Sequence, residues 1–128
     1  MKILVWNVRG LNHPLKHKEV VARITKLSVN FVCLLETHVK QNKMQNIIKK
    51  SFPCWNSFNN YSNAYNDRIW VLWKDDVKAN LLATSDQSIT CCVEVGMQKF
   101  YCSVIYGYNE SRDRRKLWSH LLSIHSTL

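Results

Sequence analysis

The sequence predicts an α/β protein whose mixed sheet is mainly antiparallel after residue 55 and is flanked by helices. Three observations predict it. The first 50 residues read strand, helix, strand, helix; two later runs alternate apolar and polar side chains on either side of a Gly; and the chain closes on a stretch with helical apolar spacing.

Residues 2–7 form a short apolar run that ends at Asn7 and passes into Arg9-Gly10-Leu11-Asn12, a polar turn, so a strand followed by a loop is expected. After Pro14, Val20, Val21, Ile24 and Leu27 recur at helical spacing, with Lys18, Arg23 and Lys26 on the opposite side. Residues 31–36 are nearly continuously apolar up to Glu36, which suits a buried strand. A right-handed crossover then brings Asn7 and Glu36 to the same edge of the sheet. Met44, Ile47 and Ile48 mark a second helix over residues 41–50.

Residues 56–67, rich in Asn, Ser and Tyr, read as a mobile polar loop. Residues 69–73 and 78–84 are strand candidates. Ile89, Cys91, Val93 and Val95 alternate with Thr90, Cys92 and Glu94; Phe100, Cys102, Val104 and Tyr106 alternate with Tyr101, Ser103 and Ile105; Gly96-Met97-Gln98 between them predicts a hairpin. A last helix from about Ser111 carries Leu117, Trp118, Leu121, Leu122 and Leu128 as its apolar stripe.

A chain of 128 residues is the size of one domain, and 46% apolar residues with only three Gly and two Pro exclude a disordered or collagen-like chain. Eighteen Lys and Arg against nine Asp and Glu give a formal charge of +9, concentrated in the first 50 residues. Such an excess favours polyanions, with Lys16, Lys18, Arg23, Lys26, Lys40, Lys43, Lys49 and Lys50 supplying the face, or is a solvated helix surface without a partner. Five cysteines without a C-x-x-C pair do not suggest a zinc site and read as small buried residues in a reducing compartment. The first apolar run is too short for a signal-peptide core and no stretch approaches a membrane span, so a nuclear or cytoplasmic location is expected. The glycosylation patterns at Asn60 and Asn109 are then accidental.

Three segments stand where strands end and loops begin: Trp6-Asn7-Val8-Arg9-Gly10-Leu11, Leu34-Leu35-Glu36-Thr37 and Tyr106-Gly107-Tyr108-Asn109. A carboxylate closing a buried strand is costly unless compensated. Glu36 therefore reaches solvent, pairs with Lys40 or Arg9, or holds a divalent cation. Asn7 alone also fits a strand-to-turn junction, and Tyr106 alone fits a core aromatic.

Together and in this order, these segments resemble the endonuclease/exonuclease/phosphatase superfamily, and in particular the endonuclease domain that opens plant non-LTR (LINE-type) retrotransposon polyproteins. Residues 6–11 resemble its Trp-Asn-x-Arg-Gly-Leu, residues 34–37 its Leu-x-Glu-Thr, residues 68–73 a Gly-Arg-Ile-Trp-Val-Leu-Trp run with Asp67 in place of the Gly, residues 105–109 its Val-Tyr-Gly-x-Asn, and residues 115–118 its Arg-x-x-Leu-Trp. The resemblance implies a DNase I-like four-layer α/β sandwich. It implies Mg2+ held by Glu36 with help from Asn7, a catalytic set of Asn7, Glu36 and Tyr106, substrate contacts from Arg9 and Asn109, and DNA as the partner.

The family's Gly-Asp-x-Asn and Ser-Asp-His motifs, which supply the water-activating Asp and the charge-stabilising His, occur nowhere in these residues. General-base activation and transition-state stabilisation each contribute orders of magnitude. Residues 1–128 are therefore expected to be the N-terminal portion of such a domain, lacking its C-terminal half and catalytically incomplete. One half of a sandwich should leave an inner sheet face uncovered and favour self-association. A phosphoester phosphatase fragment of the same superfamily and a non-enzymatic basic nucleic-acid-binding module are the alternatives.

Overall fold

A computed structural model describes residues 1–64 and 69–128 of the chain. The opening follows the apolar pattern closely: β1 (Ile3–Asn7), α1 (Pro14–Leu27), β2 (Phe31–Leu35) and α2 (Gln41–Ser51). Pro14 stands at the start of α1, where its missing N–H costs nothing. The His13 ring Nδ1 accepts from the Leu15 N–H at 3.1 Å, and left-handed Ser28 (φ 53°) closes the helix. As a crossover, α1 makes β1 and β2 parallel, with Asn7 beside Leu35.

The remaining elements are β3 (Asn56–Asn59), β4 (Trp70–Trp73), β5 (Lys78–Thr84), β6 (Ser88–Val95), β7 (Gln98–Ile105) and α3 (Ser111–His125). They complete two sheets. One is mixed, in the order β1-β2-β4-β3, with β4 antiparallel to both neighbours; the other is an antiparallel β5-β6-β7 meander. A two-residue turn joins β6 to β7, with Gly96 at φ 58°, the left-handed backbone such a hairpin needs.

Side-chain parity sorts the cores. Val32, Leu34, Trp70 and Leu72 turn to α1 and α2, where they meet Val20, Ile24, Met44 and Ile48. Phe31, Cys33, Leu35, Val71 and Trp73 turn the other way, onto Ile89, Cys91, Val93 and Val104 of the second sheet. Leu117 of α3 is buried, and Leu121 and Ile124 face Thr90, Tyr101 and Ser103 on that sheet's outer side. The layers run helices, sheet, sheet, helix, as the four-layer expectation had it. Burial pushes the Cys33 thiol up to about 12, whereas a hydrogen bond from the free Cys91 thiol lowers that of half-buried Cys102 to about 7.

Three expectations are corrected. Residues 56–59 are a strand: Asn-Ser-Phe-Asn has little apolar signal, and it is the ladder to β4 that orders it. Asn60, next in the chain, is fully buried, its amide donating to the Ser85 and Asp86 carbonyls and accepting from the Ile69 N–H. The rest of the expected loop to Asp67, with Arg68 of the compared run, falls partly outside the described residues. The inner sheet faces are not left open, because each covers the other; exposed apolar side chains on that side are Ile3 and Val5 of β1, which the narrower second sheet does not reach. In α3, Trp118 and Leu122 are exposed, because Leu117, Leu121 and Ile124, offset by one position, take the packing face. Among the described residues no helix is long and apolar enough to cross a membrane.

Candidate active site

At the carboxyl ends of β1 and β2 the two chains stay paired beyond the last ladder residues. Val8 N–H donates to Leu35 O (3.0 Å), Gly10 N–H to Glu36 O (2.8 Å) and Leu11 N–H to Thr37 O (2.7 Å). This zipper holds residues 8–11 against residues 35–37. It also accommodates an unusual concentration of left-handed backbone: Arg9 (φ 51°), Glu36 (φ 58°) and His38 (φ 55°) are all non-Gly residues at positive φ, next to Gly10 at φ 100°. Such conformations cost on the order of 1 kcal/mol or more each and collect at functional sites.

The turn at Glu36 delivers its carboxylate to the edge between the two sheets. There it is partly exposed, with the His38 ring within hydrogen-bond distance and the Asn7 amide and Tyr106 hydroxyl close enough to favour its ionised form. Asn7 has one orientation that works. Its Oδ1 accepts from the Arg9 N–H at 3.1 Å, which leaves the amide NH2 for Glu36. The His38 Nε2 lies 3.1 Å from Glu36 Oε1, and the Asn12 amide donates to the His38 carbonyl at 2.9 Å.

Tyr106 is brought from the other sheet. It follows β7 directly, and its N–H donates to Gln87 O at 2.9 Å. The Gln87 side chain, 1% exposed, accepts from the Tyr108 N–H at 2.8 Å and donates to the Asp113 carbonyl at 3.1 Å. One buried amide thus fixes both the 106–108 segment and the first turn of α3.

Three of the expected site residues, Asn7, Glu36 and Tyr106, therefore converge although 29 and 70 positions separate them in turn. Arg9 and Asn109 are exposed on the adjoining loops, at the rim. Sequence reasoning missed His38 and Gln87. His38 carried a signal, being two residues beyond Glu36; Gln87, a polar residue ahead of a strand, carried none.

The Asn7 amide foremost and then the His38 ring hold the Glu36 carboxyl below its ordinary value against desolvation, with a lesser contribution from the Tyr106 hydroxyl. A depressed folded-state pKa contributes stability above the ordinary carboxylate range, and that contribution is lost as pH falls through the depressed value. Asn7→Ala is expected to move the Glu36 titration upward, toward the ordinary value, as read by carboxyl carbon NMR. An unmoved midpoint would show that Asn7 does not bond the carboxylate.

The donor set suits a hard cation only in part. Among the described residues no group of three or more His, Cys, Asp or Glu could hold a metal ion. Glu36 offers one ionised oxygen ligand, and Mg2+ commonly takes one or two carboxylates with water and substrate phosphate completing its shell. The fit is to a cation held jointly with a phosphate group.

No protein-family model matches the sequence, and no curated protein does. Solved structures do match. The endonuclease domain of TRAS1, a telomere-specific non-LTR retrotransposon, superimposes with a TM-score of 0.73 at 11% identity over 98% of this chain and 54% of its own. D. rerio TDP2 complexed with a single-strand DNA product gives 0.64 at 20% identity over 94% and 52%. The human Nocturnin catalytic domain with a bound sulfate anion gives 0.56 at 12% identity over 95% and 59%. The chain spans about half the length of each of these, and over that span it shares their DNase I-like fold.

Proposed function

We propose that Asn7, Glu36 and Tyr106 are part of a Mg2+-dependent phosphodiester hydrolase site of endonuclease type that takes DNA, as in the endonuclease part of a retrotransposon protein. The observation that carries the reading is one ionised, partly exposed carboxylate ringed by the neutral donors Asn7 and Tyr106, at the sheet edge where two strands and a third segment from the other sheet meet. Neutral donors can bond a phosphate oxygen without adding negative charge to the site. A bound divalent cation would supply charge stabilisation at that oxygen. Glu36 would hold it, Asn7 would orient the Glu36 carboxylate, and Tyr106 would donate to the phosphate. Arg9 and Asn109 would contact the strand from the rim. The TDP2 structure holds single-strand DNA, which supports nucleic acid as the ligand class.

A water-activating Asp and a charge-stabilising His in the sequence contexts expected of them are absent from these 128 residues. The chain by itself is therefore proposed to bind but not to hydrolyse efficiently. In Mg2+, the wild-type chain should bind an oligonucleotide more tightly than in chelator, Glu36→Gln should remove the difference, and supercoiled plasmid should remain uncut. Equal affinity with and without Mg2+ would refute the site. Nicking that Glu36→Ala abolishes would refute the incompleteness and keep the site.

A further inference from the structure

On the outer side of the first sheet, α1 and α2 enclose an open groove of about 570 Å³. Lys18 and His17 of α1 line it on one side and Lys43, Asn46 and Lys50 of α2 on the other, with Asn12 at the loop preceding α1. Lys43, Asn46 and Lys50 are three and four residues apart, so they share one face of α2. No acidic side chain lines the space. Among the described residues none of the three lysines makes an ion pair, whereas Lys16 on the same helix meets Glu19 at 3.8 Å. Three ammonium groups around one concavity repel one another, and the walls focus their field onto whatever enters. An anion with several phosphates relieves that repulsion.

The groove also joins the candidate site. Asn12, at its end, donates to the His38 carbonyl, and His38 contacts Glu36. The His17 Nε2 lies 2.6 Å from the Leu11 carbonyl, which fixes the helix that bears Lys18 to the same loop.

We propose that this groove is a second contact surface for nucleic acid, taking the phosphodiester backbone of a strand that extends past the Glu36 site, with Lys18, Lys43 and Lys50 as the phosphate ligands. The proposal rests on the nucleic-acid part of the proposed function and does not require the cation. Neutral Asn12 and Asn46 add hydrogen bonds without base-specific geometry, so the contact is to backbone and independent of sequence.

Fluorescence anisotropy of a labelled oligonucleotide, titrated in chelator over a range of salt, tests it apart from any cation-dependent event at Glu36. The variants are K18Q/K43Q/K50Q, the arginine version K18R/K43R/K50R, and the control K26Q/K78Q/K116Q, which removes the same charge from other exposed lysines. The groove variant should lose about one unit of salt slope per lysine, near 3 in all, while the control keeps most of its slope and the arginine variant retains binding. Groove and control variants with the same slope would overturn the proposal. So would a groove variant that loses binding only to vesicles of anionic phospholipid. Equal affinity of the wild-type chain with and without Mg2+, together with an intact groove effect on the slope, would overturn the proposed function alone.

Discussion

Trp70→Ala is expected to lower the free energy of unfolding by about 3–5 kcal/mol, as read from urea midpoints. Trp70 is fully buried in β4, among the side chains that face the helices, and is the largest of the fully buried side chains. Its indole N–H donates to the Tyr61 hydroxyl at 3.0 Å, and that hydroxyl donates to the Val39 carbonyl at 2.6 Å. Truncation therefore opens a cavity and leaves a buried network short of a donor. It also acts near the site, because Val39 follows the residues that carry Glu36. A domain has only about 5–15 kcal/mol in total. Trp118→Ala, at a position 52% exposed, should change stability by less than about 0.5 kcal/mol. Equal losses from the two substitutions would contradict the packing described.

Gln87→Ala is expected to cost about 2–3 kcal/mol and to loosen the segment that follows Tyr106. The arithmetic is that of a buried amide serving two backbone groups. Without it the Tyr108 N–H and the Asp113 carbonyl lose their side-chain partner, and an unsatisfied buried group costs about 1–3 kcal/mol. The second consequence separates this residue from an ordinary core position. The Tyr108 N–H loses the Gln87 side chain, whereas the Tyr106 N–H keeps the Gln87 backbone carbonyl, so amide exchange should rise at Tyr108 and change little at Tyr106. Unchanged exchange at Tyr108 would mean that the segment is held by other contacts.

The sequence's legibility varied with the kind of signal each residue carried. The β1–α1–β2 opening was readable because apolar spacing changes from continuous to helical and back within 35 residues, and a parallel crossover has one common hand. From that alone Asn7 and Glu36 fall on one edge. Tyr106 could not be placed by the same means: it sits on the other sheet, and whether two runs of strands form one sheet or two depends on long-range pairing that periodicity does not encode. β3 was lost because its four residues present hardly any apolar face. The apolar stripe of α3 was read too wide, since Leu117-Trp118 and Leu121-Leu122 are adjacent apolar pairs between which spacing does not choose. The left-handed turns at Arg9, Glu36 and His38 have no composition signal, because none of the three is Gly, and yet they aim the site.

The central claim is that the carboxylate flanked by Asn7, His38 and Tyr106 binds a divalent cation together with phosphate. Paramagnetic line broadening by Mn2+ in an amide NMR spectrum, with an oligonucleotide present, tests it most directly. Signals of Asn7, Glu36 and Tyr106 should broaden first, and Glu36→Gln should abolish the effect while the rest of the spectrum stays folded. Broadening centred instead on Asp75 and Asp76, and indifferent to Glu36→Gln, would contradict it.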